Sequence, residues 1–294
     1  MGSRLLLALL WLVHWLPLGA QAALGRALGA LLLRLARARR EVAARNLALC
    51  FPEKSDAERD ALLRAHFGWL GRSFVERGLL WYGRPARLAR LIHVEGDATL
   101  AESSERPVMW LVPHFMGLDV AGVATQLFQK RLAASIYQTQ SNAVFDAAMR
   151  AGRLRFGRAE IFARSESAKP LIRAIRQGHA FFNLPDMDFG ERDAAFVPFF
   201  GVPAATLLAP SRMARAFDMV VQPVVAEMRP GGAGYTVRFL APWTDFPTDD
   251  PLADTRRINR WIEDEIRRNP AQYLWVHKRF KTRPAGEPPL YRSR

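Results

Sequence analysis

The stretch Val108-Met-Trp-Leu-Val-Pro-His-Phe-Met-Gly-Leu-Asp119 decides the fold. Its first five residues form an unbroken apolar run of strand length, the pattern of a strand buried on both faces of a parallel sheet. Pro113 has no amide to continue a ladder, so the strand hands His114 to its carboxyl end, where open α/β sheets place their sites. Asp119 follows five residues later, in what the spacing predicts as the first turn of the next helix. From there a carboxylate could hold one imidazole nitrogen and leave the other free to take a proton from a hydroxyl. A histidine at a strand end equally suits a hydrogen-bonded core position, and spacing alone does not choose between the two.

Outward from this stretch the same alternation recurs. Short apolar runs at residues 108–112, 134–137, 160–163 and 180–184 read as buried strands, separated by helix-length segments such as 120–129 and 169–177. The alternation predicts an α/β fold with a mainly parallel central sheet flanked by helices. Residues 219–228 and 235–240, joined across Pro230-Gly-Gly-Ala-Gly234, read as a hairpin at the sheet's edge. Upstream, Ser55-Asp-Ala-Glu58 reads as a capping box opening a helix over 56–81, and an amphipathic helix over 254–268 closes before Asn269-Pro270.

Residues 5–33 are overwhelmingly Leu, Ala, Val and Trp, about the length that hydrocarbon requires. Small residues at 18–23 would suit a cleaved signal peptide, but the apolar run continues to Leu33 and then meets Arg34, Arg37, Arg39 and Arg40. That basic flank predicts an uncleaved N-terminal membrane anchor with the rest of the chain on the cytoplasmic side. Pro17 and Gly19 could instead bend the segment into the interface. The expected division is an anchor over 1–36 and a catalytic domain over 37–294.

With 294 residues, half of them hydrophobic, the chain can bury a large core. A formal charge of +14 favours anionic partners: phospholipid headgroups, phosphorylated glycolipids, nucleic acid or acidic carrier proteins. Only five of the 42 basic residues are lysines, an excess of arginine that fits bidentate phosphate recognition or a GC-rich genome alike. The lone cysteine, Cys50, excludes an internal disulfide and any multi-cysteine zinc site, and suits a buried inert thiol. No Gly-x-Ser-x-Gly elbow is present to supply a nucleophilic serine. A second polar cluster, Asp186-Met-Asp188, ends the run at 180–184; two carboxylates so placed could bind a divalent cation, cap a turn or orient a histidine.

Together these residues resemble the bacterial lipid A biosynthesis acyltransferase family, the late lauroyl and myristoyl transferases. The resemblance begins with the apolar N-terminus and Arg45-Asn-Leu-Ala-Leu-Cys-Phe-Pro-Glu53, continues through the His-x4-Asp motif at His114 and Asp119, and takes in Asn142, Arg153 and Arg164. It runs on through Pro185-Asp-Met-Asp-Phe-Gly190, the block from Phe196 to Thr206, and the tail from Pro270 to Pro284. It implies a glycerol-phosphate-acyltransferase-like fold at the inner membrane, an acyl carrier protein thioester as donor, and a lipid A precursor of Kdo-lipid IVA type as acceptor. It also implies His114 as general base and Asp119 as its partner. Arg164 would lie beside the site, Asp186 would help orient His114, and Asp188 would position the loop or substrate. Anionic inner-membrane lipids are expected as further partners; cofactors, metals and nucleic acid are not. His277, Lys278 and Arg279 would face acidic headgroups or carrier, or be solvated charges after a Tyr-Leu-Trp-Val strand. Two other readings fit the motifs: acyl transfer to another glycolipid, or a metal-dependent glycosyltransferase or phosphohydrolase using Asp186 and Asp188.

Overall fold

Pro17 divides the apolar N-terminus. The computed structural model, which describes residues 2–291, has two helices there, α1 (Gly2–Val13) and α2 (Leu18–Leu35), where the sequence suggested one span. Proline cannot donate the amide a continuous helix would need, but it is tolerated just ahead of a new one. Among the described residues α2 is the one helix long and apolar enough to cross a membrane; α1 is shorter.

Helix α3 (Arg37–Cys50) leads to α4 (Asp56–Val75), whose capping box forms as read: the Glu58 amide donates to Ser55 Oγ and the Ser55 amide to Glu58 Oε2. The helix expected to reach residue 81 breaks at Glu76 and resumes as α5 (Arg77–Tyr82). At the break the buried Glu76 accepts from Arg72 Nε at 2.6 Å and from the Tyr235 hydroxyl at 2.8 Å. Helices α2 and α4 cross in backbone contact. A Cβ on Gly29 would sit 2.1 Å from the Phe67 carbonyl oxygen, and one on Gly71 2.1 Å from that of Gly25. Gly25 and Gly29, four apart on one face of α2, are the small-residue spacing that permits such an approach.

The remainder alternates. Helix α6 (Pro85–Leu91) precedes β1 (Ile92–Gly96), α7 (Leu100–Ser103) precedes β2 (Val108–Leu111), and α8 (Leu118–Leu127) precedes β3 (Ala133–Tyr137). Helix α9 (Ala143–Leu154) leads to β4 (Ala159–Ala163), and α10 (Lys169–Arg176) to β5 (Ala180–Asn183). After the hairpin β6 (Ala194–Phe199) and β7 (Val202–Leu207) come α11 (Ala209–Ala216), β8 (Val220–Met228), β9 (Tyr235–Phe239) and α12 (Pro251–Arg268).

Seven strands form one sheet in the order β1-β9-β8-β2-β5-β3-β4, and every pair but β8 with β9 is parallel. The hairpin expected at the edge forms, but β1 pairs beyond it; the mixed sequence Ile-His-Val-Glu-Gly gave no apolar run by which to read that strand. Strand β2 lies at the centre with all four residues buried, as its unbroken apolar run requires. The chain moves from β2 across to β3 and β4, returns to β5, then passes to β8 on the other side. The connection order thus reverses beside β2, and such a switch point opens a crevice at the carboxyl ends of the strands.

Candidate active site

Parallel register brings the site together. Leu111 of β2 pairs with Asn183 of β5, and three residues beyond each partner stand His114 and Asp186. Pro113 and Pro185 turn both chains out of the sheet, and the side chains meet: His114 Nδ1 lies 2.7 Å from Asp186 Oδ1. The His114 backbone amide donates to the other oxygen, Oδ2, at 2.9 Å. Asp186 is fully buried, whereas the His114 side chain retains 13 % exposure. Burial opposes ionisation of Asp186, but the adjacent His114 ring and the two hydrogen bonds that His114 donates outweigh it, holding the carboxyl below its ordinary value. An ionised carboxylate only accepts, so Nδ1 carries the proton and Nε2 presents its lone pair outward.

The orienting contact that sequence spacing assigned to Asp119 therefore belongs to Asp186. Asp119 does start α8, but its oxygens are taken elsewhere: Oδ1 accepts from Arg153 Nη2 at 2.8 Å and Nε at 3.0 Å, and Oδ2 faces Arg77 Nη2 at 3.4 Å. Burial again opposes its charge, and the two guanidiniums hold it below the usual carboxylate range. Five residues beyond His114, in the first turn of α8, the Asp119 side chain meets helices α5 and α9 instead of turning back to the strand end.

The other expected residues separate. Asn142 is the N-cap of α9, accepting from the Phe145 amide at 3.0 Å. Arg153, in the last turn of that helix, completes the Asp119 cluster. Arg164 follows β4 at the same end of the sheet, exposed, with its guanidinium 3.4 Å above the centre of the Phe189 ring. Asp188 is buried and accepts from the Thr282 amide and hydroxyl, both at 2.7 Å, and from the Gly190 amide at 3.0 Å. Among the described residues, no group of three or more His, Cys, Asp or Glu is arranged to hold a metal ion. Cys50 is buried, and that burial pushes its thiol far up.

The C-terminal tail closes one side of the site, which spacing did not show. Leu274 donates its amide to the His114 carbonyl at 2.9 Å, and Met116 donates to the Gln272 carbonyl at 2.7 Å. Tyr273 forms a bridge with Phe115 in place of the expected Tyr-Leu-Trp-Val strand. Burial and the adjacent Asp186 charge push its phenol well up. His277 and Arg279, expected at the surface, turn inward. His277 Nε2 accepts from the Asp188 amide at 3.2 Å, and burial, then the neighbouring His114, lowers its pKa to about 4. Arg279 Nη1 donates to the Ala205 carbonyl and Nη2 to Thr206 Oγ1.

An apolar cleft, lined by neither His114 nor Asp186 itself, opens between α8, α9 and strands β3 to β5, with about 690 Å³ of unfilled space, open mouth included. Leu118, Asp119 and Leu184, on the segments that carry His114 and Asp186, line it together with Ile136, Ile161 and Arg153.

Comparison with known proteins identifies this α/β arrangement first as that of a lipid acyltransferase. The profile of the bacterial lipid A biosynthesis acyltransferases matches residues 2–282, and the chain belongs to that family. It is 33 % identical to the lipid A biosynthesis lauroyltransferase of Escherichia coli K12 over 288 residues, 97 % of this chain and 93 % of the relative. It is equally similar, at 33 %, to the palmitoleoyltransferase of that strain, over 97 % of this chain and 92 % of the relative. The strain's myristoyltransferase is 31 % identical over 93 % of this chain and 83 % of its own length.

Proposed function

We propose that the chain transfers a fatty acyl group from an acyl carrier protein thioester to a hydroxyl of a phosphorylated lipid A precursor of Kdo-lipid IVA type, with His114 as general base. One observation carries the chemistry: a histidine held on a buried, ionised aspartate with its other nitrogen free, on segments whose Leu118 and Leu184 line an apolar cleft. His114 Nε2 takes the proton of the acceptor hydroxyl as its oxygen bonds to the thioester carbonyl carbon. The carbon–sulfur bond then breaks, and the departing thiolate takes the proton back from the imidazolium. Asp186 stays ionised throughout, orienting the ring and stabilising its positive form.

Arg153, fixed by Asp119 at the cleft wall, is the cation suited to the developing oxyanion, which gives Asp119 a catalytic role through Arg153. Arg164, with no carboxylate partner among the described residues, suits a phosphate of the acceptor. The cleft takes the acyl chain, and Ala133 and Ala159, which also line it, are small enough to leave its inner part open. Net charge of +14 favours both an acidic carrier protein and anionic inner-membrane lipids. The exposed leucines of α1, with Trp11 and Trp15, and the length of α2 support seating at the inner membrane with the site on the cytoplasmic face, in a glycerol-phosphate-acyltransferase-like fold.

Purified full chain, acyl-loaded carrier protein and a phosphorylated glucosamine disaccharide lipid provide the test, with the product read by mass spectrometry. Acyl ester formation that survives exhaustive EDTA is expected. Activity lost to EDTA and restored by a divalent ion would replace this mechanism with metal-assisted chemistry.

A further inference from the structure

A second cavity lies away from His114, in the groove between α2 and α4, with about 1040 Å³ of unfilled space, open mouth included. Arg26 and Arg34 enter it from α2, and Arg64 and Arg72 from α4; Leu33 and Trp69 supply apolar wall, and no carboxylate among the described residues lines it. Arg26, Arg34 and Arg64 are exposed and have no ion-pair partner among the described residues.

Arg72 is different, being almost wholly buried. Its Nε donates to Glu76 at 2.6 Å and its Nη1 to the Arg229 carbonyl at 2.9 Å, while its Nη2 is buried with no partner among the described residues. A guanidinium carries five donors, and an unmet one away from water is costly unless a ligand oxygen meets it. Three cations without an acid, beside a fourth that holds an unmet donor, select an anion with several acceptor oxygens, which a phosphate provides.

The surroundings decide what carries the phosphate. Leu24, Leu31 and Leu35 stand exposed on α2, and the preceding helix α1 also exposes Leu5, Leu9 and Leu12. Trp11 and Trp15, also exposed, are the side chains that settle at the level of lipid headgroups. A soluble phosphate would leave that surface uncovered, whereas a phospholipid covers it with its acyl chains. A zwitterionic headgroup brings its own cation among four arginines; an anionic one does not. We infer that this groove seats the phosphate of one anionic phospholipid, whose acyl chains run over the outer faces of α1 and α2.

The inference rests on the membrane placement proposed above and is independent of the chemistry at His114. It also gives the groove a purpose. The Pro230–Gly232 turn that borders it leaves the end of β8, which runs parallel to β2, so groove and His114 share one end of the sheet. A lipid held there would keep that end against the membrane.

Native mass spectrometry of the full chain released from detergent, titrated with phosphatidylglycerol and with phosphatidylcholine, tests it. One phosphatidylglycerol should be retained in preference to phosphatidylcholine. Arg26→Gln with Arg64→Gln, both exposed positions that folding tolerates, should weaken that retention by roughly thirtyfold, as two juxtamembrane cations contribute. Equal retention of both lipids, or undiminished retention by the double variant, would overturn the inference. Displacement by inorganic phosphate would reassign the groove to a free anion, and displacement by a phosphorylated disaccharide lipid would reassign it to the acceptor; either result also overturns it. A chain that keeps its phosphatidylglycerol yet transfers no acyl group would sink the catalytic reading and leave this one standing.

Discussion

Asp186 is a buried carboxylate and Asp119 a half-buried one, but only Asp186 touches His114, so substitution should separate them. Asp186→Asn keeps the shape and removes the charge that stabilises an imidazolium. We expect kcat to fall on the order of 10²–10⁴-fold with little change in KM, much as for His114→Ala. Asp119→Asn should act differently, freeing Arg153 and Arg77 and lowering stability as well as rate. Parental kcat in Asp186→Asn beside an inactive, stably folded Asp119→Asn would return the orienting role to Asp119. Arg164 calls for a finer comparison. Its flat guanidinium lies on the Phe189 ring, and lysine can reproduce neither that stacking nor a two-pronged grip on phosphate. Arg164→Lys should therefore raise KM for a phosphorylated acceptor at nearly constant kcat. A fall in kcat alone would move Arg164 to the oxyanion, and unchanged constants would remove it from the site.

The apolar N-terminus draws its order from its contact with α4. Gly25, Gly29 and Gly71 allow the two backbones to touch, and a larger side chain at Gly29 would collide with the Phe67 carbonyl. Gly29→Leu should destabilise the chain by about 1–3 kcal/mol or more, the range of overpacked contacts. Thermal unfolding in detergent measures it, with Gly68→Ala as control, since a Cβ there meets nothing within 4 Å. If α2 were an independent span that merely tethers the domain, both variants would melt with the parent. A hydrophobicity profile reads α2 as lipid-facing all round, because glycine spacing records a close approach only once its partner is known.

Acid should unfold the whole molecule early. His66 is buried and His277 half-buried, and burial lowers both to about 4 from an ordinary 6.5. The unfolded chain takes up their protons below about 6.5 while the native chain stays neutral until about 4, so stability declines across that window as pH falls. Asp186 adds in the same direction. Its depressed carboxyl stabilises the native state above the ordinary carboxylate value, and that contribution disappears as pH drops through the folded one. Each histidine can contribute up to ~3 kcal/mol. Urea midpoints should fall between neutrality and about pH 5, and fall less in His66→Gln. A flat midpoint over that interval would contradict neutral burial of the two histidines.

By itself the sequence determined the strand ending at His114, the parallel sheet, the capping box at Ser55 and the family, because each is written in local period or in an ordered motif. The elements it hid have mixed or short patterns: β1 at the edge, the β6–β7 hairpin, and α3 with its many charges. Only the tertiary structure decided which carboxylate holds His114. Asp119 is five residues away in sequence but faces α5 and α9, whereas Asp186 is 72 residues away and arrives through strand register. The tail at residues 270–283 makes the same point, since His277 and Arg279 read as surface charges until their partners Asp188 and Thr206 are known. Local sequence fixes backbone conformation and burial tendency, but a side chain's partner depends on which distant segment lies across from it, and that is set only when the whole chain packs.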